Sequence, residues 1–210
     1  MKKILMLVVF AILTMPLTSC MKIINTGEEG KYTGKVEFNA TDSVSDLWVS
    51  AVEDIQTRAV YLPDLLTEAK GDLKSVVDDY GKYSMGTSGT ISYPVSAVGE
   101  VVEVENSKKA GYLVVKLDEY NGSEIIKIQI GSVYKGSSTR DNLTIINFGD
   151  YTNQEEWAEI SKELNAMIDK EVIAPADIDS ILNKKIDFTG TFEVKGNDEI
   201  LITPVILNVN

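Results

Sequence analysis

Residues 111–134, which read GYLVVKLDEYNGSEIIKIQIGSVY, carry two runs rich in valine, isoleucine and tyrosine around the central pair Asn121-Gly122. Residues of these types favour β-strands, and an Asn-Gly pair readily adopts the positive backbone angles of a tight hairpin turn. We therefore predict strands over residues 111–118 and 124–134, joined by a hairpin at Asn121-Gly122.

Strand and helix patterns on both sides of this hairpin complete a domain. A strand pattern over residues 91–104 precedes it, and two more strands, over residues 185–194 and 200–209, close the chain. A helix lies between, introduced by Thr152 and Glu155, whose side chains can each cap a free backbone N–H group. The inward face of this helix is predicted to hold Trp157, Ile160, Leu164, Met167 and Ile168.

The order of three strands, one helix and two strands is typical of the OB-fold. This fold is a five-stranded antiparallel β-barrel with a helix between its third and fourth strands, and we predict an OB-like β-barrel domain over residues 91–210. An open antiparallel sheet packed on helices is the alternative, because a hydrophobic period does not show whether a sheet closes on itself.

The segment before the barrel, residues 35–90, is predicted to be a helical subdomain, which makes the fold class α+β. Apolar residues recur there at the spacing of one helix face, after the possible caps Asp42 and Ser43. Two shorter helices follow, the first of them starting at Pro63, a residue that suits a first helical turn. Glycines then indicate a linker over residues 81–90.

The N-terminus has the pattern of a bacterial lipoprotein signal. Two lysines precede an apolar run, residues 4–13, that is too short for a transmembrane helix, which needs about 20 residues. Leu-Thr-Ser-Cys at residues 17–20 resembles a lipobox, in which the cysteine takes a lipid before cleavage. We therefore predict a signal peptide over residues 1–19, lipidation of Cys20 and a lipidated tether over residues 20–34.

Composition excludes several classes of function. The net charge is −12 at pH 7, which opposes binding to the phosphates of nucleic acids. The chain has no histidine, and its one cysteine is the predicted lipid anchor, so hydrolases built on imidazole or thiolate groups are excluded. No cofactor and no metal site are predicted. Carboxylate-only chemistry remains open, because the chain carries 32 acidic residues.

A polar stretch between the third strand and the following helix contains the candidate site residues. The chain has two arginines, and one of them, Arg140, lies in this stretch. An arginine offers a planar fork that binds a carboxylate or a ligand through two hydrogen bonds. Such residues either hold the loop in place or bind a ligand, and the loop-holding role is favoured. We define the predicted polar cluster as Arg140, Asp141, Asn153 and Gln154.

Other residues have simpler interpretations. Arg58 lies beside the apolar face of the first helix, where its side chain can pack while its guanidinium meets an acid. Tyr134, Phe148 and Tyr151 border the polar stretch and can stack on a sugar ring, although closing the barrel end with apolar surface is the favoured interpretation.

Several runs of the sequence are similar to a known family. They lie at residues 92–102, 128–133, 136–141, 148–154 and 188–192. Together they resemble the predicted periplasmic lipoproteins of bacteria grouped as domain of unknown function 2291, over nearly the whole chain after the signal. The resemblance implies an extracytoplasmic lipoprotein without an established activity, whose genes often accompany those of sugar ABC-transport components. It also implies that the polar cluster occupies the family's polar positions.

The function predicted on these grounds is that of a lipid-anchored, non-catalytic binding or accessory module associated with sugar ABC transport. The expected partners are the membrane, transporter components or a small sugar, and no nucleic acid. A carboxylate-dependent hydrolase of envelope polysaccharide and a purely structural envelope protein are the alternatives. Because Met21 rather than an aspartate follows Cys20, the outer membrane is the expected location if the cell has two membranes.

Overall fold

The computed structural model describes residues 38–196 and 198–210. The predicted signal peptide, the lipidated Cys20 and the tether at residues 20–34 lie outside these ranges. No helix within the described ranges is long and apolar enough to cross a membrane.

Residues 39–210 form one compact unit that contains both helices and strands, so the predicted α+β class is confirmed. The first helix of this unit lies against the longest strand and against the last helix. The division into a helical subdomain at residues 35–90 and a separate barrel domain at residues 91–210 stays a prediction.

Seven strands form one sheet within the described residues. They are β1 (Val60–Tyr61), β2 (Lys82–Met85), β3 (Ser88–Glu105), β4 (Tyr112–Leu117), β5 (Ile125–Gln129), β6 (Lys185–Glu193) and β7 (Glu199–Val209). The prediction that the third long strand reaches residue 134 is wrong. The strand ends at Gln129 because the Gln129 side chain folds onto the backbone of Lys135, accepting from its N–H at 2.7 Å and donating to its carbonyl oxygen at 3.3 Å.

The five long strands, β3 to β7, pair in a closed circuit. β3 pairs with β4, β4 with β5, β5 with β7, β7 with β6, and β6 again with β3. β3 reaches two partners because it is 18 residues long and offers residues 92–100 to β6 and residues 99–105 to β4. The prediction of a sheet of five antiparallel strands is wrong in two details. The sheet of the described residues has seven strands, and its β5–β7 and β1–β3 pairings are parallel.

Gly99 lies where β3 passes from one partner strand to the other, opposite both Leu117 and Ile186. A Cβ atom at this position would lie 2.6 Å from the carbonyl oxygen of Lys116 and 2.7 Å from the side chain of Val115. No real Cβ atom approaches a backbone oxygen this closely, so the crossing requires a residue without a side chain.

The described ranges hold five α-helices: α1 (Ala40–Arg58), α2 (Leu62–Ala69), α3 (Val77–Tyr80), α4 (Ser138–Asn142) and α5 (Gln154–Ile168). The N-cap of α1 is Asn39, whose side-chain oxygen accepts from the N–H groups of Thr41 and Asp42 at 3.0 and 3.3 Å. The predicted caps Asp42 and Ser43 are therefore wrong by three residues or more. α2 starts with Pro63 in its first turn, as predicted.

Short helical turns of other types complete the chain. They are 3₁₀ turns at Leu73–Val76, Phe148–Asp150, Ala174–Ala176 and Ile178–Ser180, and a π-helical turn at Asp169–Ile173 that continues α5.

Two predicted loops take a different form. The segment predicted as a linker, residues 81–90, is instead the β2–β3 hairpin, with Gly86 and Gly89 at φ values of 70° and 93°. The tight turn predicted at Asn121-Gly122 is also wrong, because the residue with positive φ between β4 and β5 is Glu119, at 59°. The connection is a longer loop, which begins directly after Leu117.

The largest fully buried side chains include Tyr93, Phe188 and Phe192, which β3 and β6 contribute to the core. The rings of Tyr93 and Phe192 stack with their centres 5.5 Å apart. The Tyr93 hydroxyl donates a hydrogen bond to the backbone oxygen of Leu73, in the 3₁₀ turn before α3. This bond joins the helical segment to the sheet from inside the core.

We expect Tyr93 to make the protein sensitive to alkali. Burial raises the pKa of its hydroxyl to about 12, above the ordinary value of 10.0. Because the folded pKa is raised, the contribution of this group to stability is complete below a pH of about 10 and is lost as the pH rises towards about 12. Urea unfolding at neutral and alkaline pH should show that Tyr93→Phe loses about 1 kcal/mol at neutral pH but declines less in alkali.

The matched control for this experiment is Tyr112→Phe, which removes a hydroxyl from a half-buried tyrosine of β4. Its alkaline decline should equal that of the parent protein. A Tyr93→Phe variant that declines as steeply as the parent contradicts the prediction.

Candidate functional site

Helix α4 places Arg140 and Asp141 side by side, in contact with α5 and β6. Arg140 donates from Nε and Nη2 to one carboxylate oxygen of Asp141, at 2.8 and 2.6 Å. Its Nη1 donates to the carbonyl oxygen of Trp157 at 3.0 Å, and its guanidinium lies 4.5 Å from the centre of the Trp157 ring. The side chains of Arg140 and Asp141 are only 12% and 9% exposed. Internal partners therefore occupy the arginine fork.

The other two members of the polar cluster lie at the start of α5. Asn153 is the N-cap, and its side-chain oxygen accepts from the N–H groups of Glu155 and Glu156, both at 2.9 Å. The cap is one residue later than the predicted Thr152, whose N–H donates to the Glu156 carboxylate at 2.8 Å. Gln154 is exposed, and its side chain has no hydrogen bond to any described residue. The polar cluster is thus one ion pair, one helix cap and one exposed amide.

Three aromatic residues next to this ion pair form what we call the aromatic surface: Phe148, Tyr151 and Trp157. The ring centre of Trp157 lies 6.2 Å from that of Phe148, in an edge-on arrangement, and 5.0 Å from that of Tyr151. Phe148 is 49% exposed, whereas the other two are half-buried. Tyr134, also expected here, instead donates its hydroxyl to Asp169 at 2.7 Å.

A second polar junction, which we call the clamp, ties α1 to the end of α4. Arg58 donates to both carboxylate oxygens of Asp54, at 3.1 and 2.9 Å, and to the side-chain and backbone oxygens of Asn142, both at 2.8 Å. Asp54 also accepts from the N–H and the hydroxyl of Thr144, at 2.8 and 2.6 Å. The acid expected beside Arg58 is therefore Asp54, one helical turn earlier, but the sequence did not indicate that Asn142 contacts Arg58 or that Thr144 contacts Asp54.

Buried hydroxyl and amide groups anchor the remainder of the loop between β5 and α5. The Ser138 and Thr139 hydroxyls lie 2.9 and 3.2 Å from the Thr191 hydroxyl, and the Gln129 amide donates to Thr203 at 2.8 Å. Every buried side-chain polar atom of the described residues has a hydrogen-bond partner. In the same ranges no group of three or more acidic or cysteine side chains is arranged to hold a metal ion. The loop is therefore held by internal contacts along its length.

The arrangement of strands, with helices between the third and fourth long strands, defines the class of fold. The chain is similar to the crystal structure of an OB-fold protein from Thermotoga maritima, with a TM-score of 0.67 and 16% sequence identity. The match covers 83% of this chain and 100% of that one. Identity this low shows the fold alone, and it supports the OB-fold assignment.

The chain belongs to the family described as "Predicted periplasmic lipoprotein (DUF2291)", which matches residues 9–208. The resemblance found in the sequence is therefore confirmed. Membership in this family supports the prediction that this chain is an extracytoplasmic lipoprotein anchored to a membrane. No curated protein sequence matches the chain at a significant level.

Proposed function

We propose that this chain is a non-catalytic, lipid-anchored binding module that takes a small sugar outside the cytoplasmic membrane, as an accessory to sugar ABC transport. The circuit of five long strands acts as an OB-like barrel, and the segment between β5 and β6 carries the binding surface. Cys20 carries the lipid, and Met21 after it favours the outer membrane in a cell with two membranes. The observation that carries the proposal is the aromatic surface.

The aromatic surface has the chemistry that a sugar needs. Phe148 offers about half of its side chain to solvent beside the half-buried rings of Tyr151 and Trp157. Ligand sites combine aromatic and apolar lining with a few polar groups that fix orientation. Gln154, three residues before Trp157 on α5 and therefore on the same face of that helix, supplies an exposed amide with both a donor and an acceptor. A sugar ring can therefore lie against Phe148 while Gln154 binds its hydroxyl groups.

The rigidity of this surface also supports binding. Arg140 lies against the Trp157 ring and donates to its carbonyl oxygen, so the central ring of the aromatic surface is held before any ligand arrives. A site that is already ordered loses less conformational entropy when it binds. Arg140 and Asp141 thus act as positioning residues for the surface, and Phe148 and Gln154 are its proposed sugar contacts.

The experiment uses the full-length lipoprotein in detergent, titrated with D-glucose, D-galactose, D-ribose and D-xylose while tryptophan fluorescence is recorded. Because Trp157 lies in the aromatic surface, we expect at least one sugar to change the emission saturably. Phe148→Ala should weaken that binding about tenfold or more, which corresponds to the loss of one well-packed aromatic contact.

Leu182→Ala is the matched control, because Leu182 is a large apolar residue with the same 49% exposure as Phe148. It should bind the sugar as the parent protein does. Equal affinities of the Phe148→Ala and Leu182→Ala variants, or no saturable response to any of the four sugars, would reject the proposed site.

A purely structural envelope protein is the second candidate, because the ion pair of the polar cluster is nearly buried and satisfied by internal partners. In that case the protein binds no sugar, and it co-purifies with envelope proteins whether or not Phe148 is replaced. No contact among the described residues favours the hydrolase alternative.

A further inference from the structure

One edge of β7 has no strand beside it in the described part of the chain. β7 pairs with β5 only over residues 199–202, whereas it pairs with β6 along residues 202–209. Pro204 has no N–H group, so the ladder to β5 cannot continue regularly through it. From residue 203 onwards β7 therefore pairs with a described strand on one side only.

The alternation of the β6–β7 ladder shows which backbone groups point towards this edge. Asn210 donates its N–H to the carbonyl oxygen of Lys185 at 2.9 Å. Because hydrogen-bonded positions alternate along an antiparallel pair, Asn208 bonds to β6, and Leu207 and Val209 direct their N–H and C=O groups away from β6. No described residue forms a backbone or side-chain hydrogen bond to these four groups.

A groove of about 630 Å³ runs along the same edge. One wall is residues 205–209 of β7, and the other is residues 171–177, which include the π-helical turn after α5. Leu207 and Val209 are partly exposed in it. The opposite wall has an apolar part, formed by Val172, Pro175 and Ala176.

We propose that this groove, which we call the β7 groove, binds an extended peptide segment of a partner protein that adds a strand to the free edge of β7. An extended chain presents N–H and C=O groups to one side at every second residue, about 6.8 Å apart, which is the spacing of the groups of Leu207 and Val209. Backbone bonds supply the affinity in this mode, and the groove receives alternate side chains.

The partner segment is apolar at alternate positions and basic at its ends. Small apolar side chains suit the wall formed by Val172, Pro175 and Ala176. Glu171 and Asp177 contribute carboxylates to the lining and Lys184 contributes a cation, and Glu171 also pairs with Lys170 at 2.7 Å, so the surplus of negative charge comes from the whole chain, whose net charge is −12. Lysine residues that flank the segment are therefore attracted to the groove.

Hydrogen–deuterium exchange of the full-length lipoprotein in detergent tests the proposal. The probe is the peptide acetyl-Lys-Val-Thr-Val-Lys-amide, and its matched control is the same peptide with alternate backbone nitrogens methylated. In the free protein the amides of Leu207 and Val209 should exchange rapidly, since no described residue accepts a hydrogen bond from them. Saturating probe should slow their exchange at least about tenfold, while the methylated peptide should have no effect.

Two variants of one residue isolate the backbone contribution. Leu207→Pro removes a single outward N–H without removing a donor to β6, and Leu207→Val keeps that N–H with an apolar side chain. The proline variant should bind the probe about tenfold more weakly than the valine variant. If the proline variant does not fold, the comparison of the two peptides on the parent protein still decides the question.

Other occupants of the edge give distinct results, each of which overturns the proposal. Protection of the Leu207 and Val209 amides in the free protein at every concentration means that another part of the same chain covers the edge. Protection that increases with protein concentration means that a second copy pairs there. Equal binding of the methylated peptide, or no binding of the probe at millimolar concentration, also overturns it. Sugar titration of the aromatic surface has no bearing on any of these outcomes.

Discussion

Asp54→Ala is expected to lower the free energy of unfolding by about 3 kcal/mol, because it breaks the clamp between α1 and α4. The Asp54 side chain is only 9% exposed and accepts four hydrogen bonds, two from Arg58 and two from Thr144. Alanine leaves the Arg58 guanidinium, which is 30% exposed, with Asn142 as its remaining partner. Urea unfolding at pH 7 measures the difference.

The same carboxylate makes the clamp dependent on pH. Burial alone would raise the pKa of Asp54, but the hydrogen bonds from Arg58 and Thr144 outweigh it and hold the pKa below its ordinary value of 3.8. Because the folded pKa is lowered, the stabilisation is present above a pH of about 4 and is lost as the pH falls through the folded value. Asp54→Asn should therefore show a smaller loss of stability in acid than the parent protein.

Asp46→Ala is the control for both measurements, since Asp46 is an exposed acid on the same helix. It should change the free energy of unfolding by less than about 0.5 kcal/mol. An Asp54→Ala variant as stable as the Asp46→Ala variant would show that the clamp does not stabilise the fold.

Arg140→Lys is expected to lower the free energy of unfolding by about 2 kcal/mol although it keeps the charge. Lysine cannot reproduce the fork that bonds twice to Asp141 and once to the Trp157 carbonyl oxygen, nor the planar contact with the Trp157 ring. The part of this loss that comes from the ion pair should disappear when Asp141→Asn is introduced first, whereas the part that comes from the contacts with Trp157 should remain.

This variant also separates the two roles considered for Arg140. A loss of stability with sugar binding and partners unchanged supports a purely loop-holding role, whereas a loss of stability together with weaker sugar binding supports a role in positioning the aromatic surface. Retained stability with lost sugar binding would contradict the structural prediction and would make Arg140 a ligand contact.

The strands could be predicted because their signal is local. Side chains that alternate between the core and the surface leave a two-residue period, and the runs that became β4, β6 and β7 lie within one residue of the predicted bounds. Helix caps were less accurate for a physical reason. Asn39, Thr41, Asp42 and Ser43 all have side chains that can cap, and only the chain geometry selects Asn39 among them.

Strand pairing could not be predicted from periodicity. The parallel β5–β7 pair and the closure of β6 on β3 depend on where distant segments meet, and no pattern within either strand records this. The hairpin at residues 81–90 was missed because glycines suit a linker and a β-turn equally.

The candidate site was anticipated only in part. The scarcity of arginine directed attention to Arg140, and its neighbour Asp141 was in the predicted polar cluster. The stacking of Arg140 on Trp157 was not anticipated, because the two residues lie 17 positions apart on different helices. Asn142 lies in the same polar stretch but was not included in the predicted polar cluster, although it is fully buried against Arg58.

The pairing of β3 with β6 also affects the order in which parts of the protein can fold during synthesis. Ser92 lies opposite Glu193, so β3 must wait until almost the entire chain has left the ribosome before its second partner exists. Contacts between such distant segments slow folding. We therefore expect the newly made polypeptide to remain without its closed circuit of strands for a time, which suits a protein that folds only after it has reached the extracytoplasmic side.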